Sequence, residues 1–169
     1  MTNRAYLLVA PLALLAACSD DNPTVFAITT GSYAVSAGTA TAAHPTDDCN
    51  MVALFIAGNP PIDVRVDGTT AHFDLKGGQT LAQYLTTANI NGNAIEHVTD
   101  ANFATTVGTQ CTFDTHVQVR GDITANDAMH LIAKYDIAVR QGANCTLADV
   151  DAKVLPCTSE VDFLANKAP

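Results

Sequence analysis

Apolar and polar residues alternate along much of the chain after residue 24, which is the pattern of strands with one buried face. The clearest alternation runs from Ile62 to Leu75 and is interrupted by Asp67-Gly68. A two-residue Asp-Gly loop at that point predicts a β-hairpin in which Val64 pairs with Ala71. The apolar faces of its two strands then coincide.

A second hairpin is predicted from Cys111 to about Arg140, because the large apolar residues of this segment occupy odd-numbered positions. A two-residue loop at Asn126-Asp127 would pair odd with even positions and set charged residues opposite valines. We therefore predict a three-residue loop over residues 125–127, in which Val119 pairs with Ala133. Asn and Asp tolerate the left-handed backbone conformation that such a loop requires.

The remaining segments predict shorter elements. Partial alternation over residues 25–41 indicates an opening strand with bends, and the apolar run 51–57 indicates a strand or a helical turn. One helix is predicted over residues 81–90, where Thr80 and Gln83 form a capping box. Further strands are predicted over residues 95–98, 103–107, 147–155 and 161–164.

These elements predict a mainly β fold: an antiparallel β-sandwich or a small meander β-barrel, with one short helix near 81–90. The chain has 169 residues, of which 48% are hydrophobic, enough for one domain with its own core. We expect this single β-rich domain to span residues 25–169.

The first 17 residues have the organisation of an export signal. A polar head with one positive charge at Arg4 precedes the apolar run Leu7 to Leu15, which is too short to span a membrane. The run ends in Leu15-Ala16-Ala17-Cys18, which resembles the lipobox of bacterial lipoproteins. The alternative is an ordinary secretory signal followed by an unrelated cysteine.

The lipobox resemblance implies that Cys18 carries lipid. In that family the cysteine sulfur receives a diacylglyceryl group, the signal peptide over residues 1–17 is removed, and the new amino terminus is acylated, typically with palmitate. Residues 18–24 would then form a short lipidated tether, since several acyl chains anchor a domain firmly. An Asp directly after the cysteine tends to retain such proteins in the inner membrane, so Ser19 favours the outer membrane of the bacterial cell envelope.

The other four cysteines are predicted to form two disulfides. Their even number suits an oxidising envelope compartment. Three connectivities are possible. The short segment between Cys145 and Cys157 favours pairing these two residues, which would leave Cys49 with Cys111. A zinc site is the competing interpretation, but the sequence contains no CxxC or HxxxH spacing.

Composition and charge limit the classes of partner. The formal net charge of −9 opposes binding to nucleic acid or to an anionic membrane surface. The 6% aromatic content, without Trp, provides few stacking surfaces for sugars or bases. We therefore expect membrane attachment through the lipid anchor only, and no cofactor.

Candidate chemistry is sparse. Four serines follow the signal segment, none of them in a GxSxG motif, and no nucleotide-binding or zinc-protease motif occurs. The predicted second hairpin places His116 opposite Asp136 and Asp122 opposite His130, which suits either surface charge pairing or a histidine–carboxylate metal cluster. The tripeptide Arg120-Gly121-Asp122 matches a cell-adhesion motif, but it is predicted to lie within a strand.

Three functions fit these observations. The first, which we favour, is a non-enzymatic envelope lipoprotein whose β domain is a structural or protein-interaction module, with an envelope protein as partner. The second is a lipocalin-like carrier of a small apolar ligand inside a barrel. The third is an enzyme that uses histidine and carboxylate groups. A ligand-sized cavity would favour the carrier, and a convergent His/Asp site would favour the enzyme.

Overall fold

The computed structural model describes residues 24–53, 61–75, 85–108, 110–146 and 152–169 of the chain. These residues form ten β-strands and one short helical turn over residues 51–53. The strands are β1 (Gly31–Val35), β2 (Thr39–Ala40), β3 (Ile62–Asp67), β4 (Thr70–Leu75), β5 (Leu85–Asn91), β6 (Ala94–Thr99), β7 (Ala101–Val107), β8 (Cys111–Ala125), β9 (Ala128–Val139) and β10 (Cys157–Lys167).

All the strands belong to one antiparallel sheet that closes on itself. Strands follow each other around the sheet in the order β1-β3-β4-β5-β6-β8-β9-β10, and β1 also pairs with β10. β6 and β7 pair one after the other with the same edge of β8, and β1 and β2 pair in the same way with one edge of β10. The predicted fold class, antiparallel β-sandwich or meander barrel, is confirmed, and the ring of pairings is that of a closed meander.

The two ends of this barrel differ in their connections. At one end, which we call the turn pole, three hairpins close through two-residue turns, Gly68-Thr69, Gly92-Asn93 and Asn126-Asp127. At the opposite end, which we call the disulfide pole, longer connections lead from β2 to β3 and from β9 to β10. That end holds the Cys49–Cys157 and Cys111–Cys145 disulfides.

The hydrophobic core fills the inside of the barrel. Inward positions alternate along every long strand; in β9, for example, the odd-numbered residues from Met129 to Ile137 are buried. Tyr33, Phe73 and Phe163 are the largest of the side chains that are fully buried. A smaller apolar cluster at the disulfide pole surrounds Cys49, Cys111 and Cys157.

The register of the second hairpin is confirmed by the structure. Val119 pairs with Ala133, and His116 pairs with Asp136. The register shifts by one residue between Ile123 and Ala125, and Asp127 adopts the left-handed conformation with a φ of 56°. The predicted three-residue loop thus consists of a two-residue turn preceded by a bulge.

The first hairpin exists, but its predicted register is wrong by two residues. Val64 pairs with Phe73 instead of Ala71, and the turn is Gly68-Thr69, with Gly68 at a φ of +62°. A glycine at the first turn position suits a type II′ turn. A slip of two residues keeps each side chain on the same face, so the apolar pattern alone could not distinguish the two registers.

The predicted helix over 81–90 is also wrong where the chain is described. Residues 85–90 belong to β5, in which the alternate residues Thr86 and Ala88 are buried. Thr86 and Thr87 are β-branched and favour a strand, and pairing with both β4 and β6 overrides the helical stripe. The part of that prediction over residues 81–84 lies outside the described residues.

Other segments gave mixed outcomes. Residues 51–53 of the run 51–57 form the helical turn, and the rest of that run lies outside the described residues. The predicted strand over 147–155 is wrong where the chain is described, since residues 152–155 form no strand and residues 153–155 are bends; residues 147–151 lie outside the described residues. The predicted strands over 95–98, 103–107 and 161–164 lie within β6, β7 and β10.

Candidate functional site

The disulfide pole is built on the beginnings and ends of three neighbouring strands. Cys111 begins β8, and Cys145 follows β9, which runs beside β8. The backbone N–H of Asn144 donates to the carbonyl of Gln110 at 2.9 Å, so the segment after β9 continues along β8. The Cα atoms of Cys111 and Cys145 are therefore 4.6 Å apart, close enough for a disulfide.

The second disulfide joins β10 to the segment after β2. Cys157 begins β10, and the Cα atoms of Cys49 and Cys157 are 5.3 Å apart. The pairing favoured by sequence, Cys49 with Cys111 and Cys145 with Cys157, is therefore wrong. The observed pairing follows from which strands are neighbours: β8 lies beside β9, and β2 lies beside β10. The short separation of Cys145 and Cys157 along the chain does not bring these two residues together. All four predicted cysteines do form disulfides.

A partly buried hydrogen-bond network fixes the segment around Cys49. The carboxylate of Asp47 accepts hydrogen bonds from the Ser159 hydroxyl at 2.6 Å and from the backbone N–H groups of Met51 and Val52, each at 2.7 Å. The Ser159 hydroxyl in turn accepts from the N–H of Cys49 at 2.9 Å. The Asp47 carboxylate thereby caps the helical turn and binds it to β10.

Sequence reasoning missed this network, although a signal for it existed. Ser159 is fully buried at an inward position of β10. The predicted strand began only at residue 161; extending its alternation back to Cys157 would have placed a serine among inward apolar residues. A buried hydroxyl needs a partner, which points to a neighbouring polar group.

The outer face of β8, β9 and β10 carries a second group of paired charges. Glu160 is only 5% exposed, and its carboxylate accepts hydrogen bonds from Arg120 at 3.2 and 3.4 Å and from the Thr41 hydroxyl at 2.9 Å. The His44 ring lies 4.0 Å away. Burial tends to raise the pKa of the Glu160 carboxyl, but the hydrogen bonds from Arg120 and Thr41 outweigh it and the pKa lies below its usual value.

His116 lies between two surface depressions on this face. One, of about 190 Å³, is bordered by Asp136 and Thr158, and the other, of about 360 Å³, by Asp114 and Arg140. Hydrogen bonds from Arg140 hold the pKa of Asp114 below its usual value. Burial tends to raise the pKa of Asp136, but hydrogen bonds from Thr158 and Lys134 lower it overall. Both carboxylates beside His116 are therefore ionised and already engaged, Asp114 by Arg140 and Asp136 by Lys134 and Thr158.

The histidines are distributed around the barrel in separate pairs with carboxylates. His97 lies 2.5 Å from Asp100, and His130 lies 2.7 Å from Asp162 instead of joining its cross-strand partner Asp122. The described residues include no group of three or more His, Cys, Asp or Glu side chains that could hold a metal ion. In these parts of the chain the observed arrangement is one of separate histidine–carboxylate pairs.

The Arg120-Gly121-Asp122 tripeptide lies within β8, as predicted. The structure explains why glycine occupies position 121, because a Cβ atom there would lie 2.0 Å from the carbonyl oxygen of His130 on β9. Arg120 is engaged by Glu160. The tripeptide is therefore part of the sheet and not an exposed loop tip.

Comparison of the chain with protein families, with curated proteins and with solved structures found no match. Across the described residues, no helix is long and apolar enough to cross a membrane. The predicted lipidation residue, Cys18, lies outside the described residues.

Proposed function

We propose that this protein is a bacterial envelope lipoprotein, anchored through lipid on Cys18, whose β domain is a protein-interaction module. The observation that carries the anchor is the partition of the five cysteines. Four of them pair in two disulfides, and the fifth is the cysteine of the Leu15-Ala16-Ala17-Cys18 motif. Stable disulfides suit the oxidising compartment to which such a signal directs a protein.

The architecture supports binding by the disulfide pole. Loops that are held by a rigid scaffold are common binding surfaces. Here two disulfides and the Asp47 carboxylate hold the described parts of the long connections against β10 and β8. Such loops lose little conformational entropy when a partner binds. An envelope protein is therefore the partner class that we propose.

The interior gives less support to the alternative of an apolar-ligand carrier. A carrier needs space inside the barrel for its ligand. Several inward positions of this barrel hold large side chains, of which Tyr33, Phe73 and Phe163 are at most 2% exposed. The segment over residues 24–30 also crosses the turn pole and hydrogen-bonds to two of its turns. Three aromatic side chains thus take up part of the interior, and the chain itself covers part of the turn pole.

The anchor is tested by expressing the full chain and its Cys18→Ser variant in a bacterial host that processes lipoproteins. We expect the full chain to incorporate labelled palmitate and to fractionate with membranes. The Cys18→Ser variant should do neither. A cleaved chain with an unmodified Cys18 thiol would refute the proposal. The Ser19→Asp variant tests sorting, since it should move the protein from the outer to the inner membrane.

The interaction module is tested by site-specific photocross-linking in the intact envelope. A photoreactive residue is placed at Gln141 or Val154, both exposed at the disulfide pole, with Thr69 at the turn pole as the matched control. We expect one discrete protein adduct from the first two positions. Absence of an adduct there, together with a small apolar molecule retained in native mass spectrometry of residues 19–169, would favour the carrier instead.

A further inference from the structure

The N-terminal segment is fixed to the turn pole before it enters the barrel. The Thr24 carbonyl accepts a hydrogen bond from the side-chain amide of Asn93 at 2.8 Å, and the same side chain accepts one from the N–H of Phe26 at 2.8 Å. The N–H of Ala27 donates to Asn126 at 3.1 Å. The point at which the chain leaves the barrel is thus defined by two hairpin turns.

The distance from this point to the proposed lipid anchor is short. Thr24 lies six positions after Cys18, and a fully extended chain spans at most about 3.5 Å per residue, so the tether reaches about 20 Å. The barrel is taller than this reach. β8 has 15 residues, which corresponds to a height of about 35 Å for a strand tilted as in small barrels. An inverted barrel, with the disulfide pole on the membrane, would hold Thr24 beyond the reach of the tether.

Two further features agree with this geometry. Val25, at 66% exposure, is the most exposed of the large hydrophobic residues described, and it lies at the turn pole beside the tether. The chain as a whole is acidic, with a formal net charge of −9, so the sides of the barrel have no general attraction for anionic headgroups. Val25 thus offers an exposed apolar side chain at the turn pole.

We infer that the turn pole faces the lipid bilayer that holds the anchor, and that the disulfide pole is held away from it. This inference rests on the proposed lipidation of Cys18. It deepens the proposed function, because it states which surface the membrane occupies and which surface is presented to a partner.

The test measures the distance of each pole from the bilayer. The native chain contains no Trp, so a single introduced Trp is a clean energy donor to dansyl-labelled headgroups. Two variants of the lipidated chain are compared, Thr124→Trp near the turn pole and Val154→Trp at the disulfide pole, both at exposed positions. They are reconstituted in vesicles of phosphatidylethanolamine and phosphatidylglycerol. Mass spectrometry first verifies acylation and both disulfides in each variant.

We expect energy transfer at least about twofold greater from Thr124→Trp than from Val154→Trp, because the tether holds only the turn pole near the headgroups. A flexible Gly-Ser insertion after Asp21 should reduce this difference, since a longer tether relaxes the orientation. Equal transfer from the two positions would show a barrel lying on its side and would overturn the inference. Greater transfer from Val154→Trp would overturn it as well.

The failure of the proposed function has a different signature. A chain that is not acylated at Cys18, and that does not associate with vesicles, would refute the anchor and with it the inference. An acylated, vesicle-bound chain with equal transfer from both poles would refute only the orientation. Cys18→Ser variants of both Trp chains serve as the control, since they should show no transfer.

Discussion

The guanidinium of Arg120 on β8 lies 3.2 Å from the carboxylate of Glu160 on β10, with β9 between the two strands. The two residues differ in exposure: the Arg120 side chain is 45% exposed and that of Glu160 only 6%. The carboxylate is therefore largely removed from water, while its cationic partner is not. Its charge depends on the hydrogen bonds that Arg120 and Thr41 donate to it.

Removing Arg120 should destabilise the fold by leaving this carboxylate without its cation. We expect Arg120→Ala to lower the free energy of unfolding by about 2 kcal/mol, a value within the range measured for hydrogen bonds to charged groups. The same substitution in a Glu160→Gln background should cost much less. Denaturant unfolding of the four chains measures this coupling. An equal cost in both backgrounds would contradict the assignment.

The same pair predicts a loss of stability in acid. The pKa of Glu160 is lowered in the folded protein from 4.5, so the folded state binds a proton less readily than the unfolded state. This contribution is present above the unfolded pKa and is lost as the pH falls through the folded pKa. The Glu160→Gln variant should lose less stability than the native chain below about pH 4.5. Unfolding curves across this range check the expectation, and parallel curves would contradict it.

Tyr33 predicts a loss of stability in alkali. Burial raises the pKa of Tyr33 to about 12, and its hydroxyl donates to the Thr29 carbonyl at 2.7 Å. Because the folded pKa is raised above 10.0, the stabilisation is present below the unfolded pKa and is lost as the pH rises through the folded pKa. Tyr33→Phe should remove this alkaline loss. The free energy of unfolding is measured in both chains between roughly pH 9 and 12, a range that spans the unfolded and folded pKa values. The same dependence on pH in both chains would contradict the prediction.

Gly121 should not tolerate a side chain. A Cβ atom there would meet the His130 carbonyl oxygen at 2.0 Å, so β8 and β9 would have to separate. We expect Gly121→Ala to cost about 3 kcal/mol of unfolding free energy. The control is Gly92→Ala, where space is open but the φ of +59° is unfavourable, with an expected cost of about 1 kcal/mol. Similar costs for the two variants would contradict the close approach.

The two disulfides should stabilise the protein unequally. Cys49–Cys157 spans 108 residues and Cys111–Cys145 spans 34, so the first restricts the unfolded chain more. The loop-entropy relation gives about 5 and about 4 kcal/mol respectively. Paired Cys→Ala variants measured in denaturant test this order. Peptide mapping without reduction checks the pairing itself, and a Cys145–Cys157 peptide would contradict the structure.

The sequence predicted some parts of this fold better than others, for physical reasons. The β8–β9 register followed from the odd-numbered apolar positions, because a slip of one residue would expose them. The register of β3 and β4 did not follow, because a slip of two keeps Val64 and Phe73 buried. The β5 strand was concealed by a helical stripe that only pairing with β4 and β6 overrides.

The candidate site depended on contacts that sequence alone does not carry. Cys111 meets Cys145 because the segment after β9 continues along β8, and Cys49 meets Cys157 because β2 returns to β10 at the far end of the chain. The hydrogen bond between Asp47 and Ser159 joins residues that are 112 positions apart, because β2 lies beside β10. Local patterns identified the four cysteines after Cys18 as disulfide-forming but could not choose their partners across a closed sheet.

The pairing of β1 with β10 also brings the two ends of the barrel chain together. Tyr33 pairs with Lys167, and the N–H of Ala168 donates to the Ser32 carbonyl at 2.9 Å. A short linker could therefore join Pro169 to Thr24, and the chain could be reopened at the exposed Gly68-Thr69 turn. Such a circular permutant would keep every strand pair of the native barrel while moving the start of the polypeptide to a different hairpin.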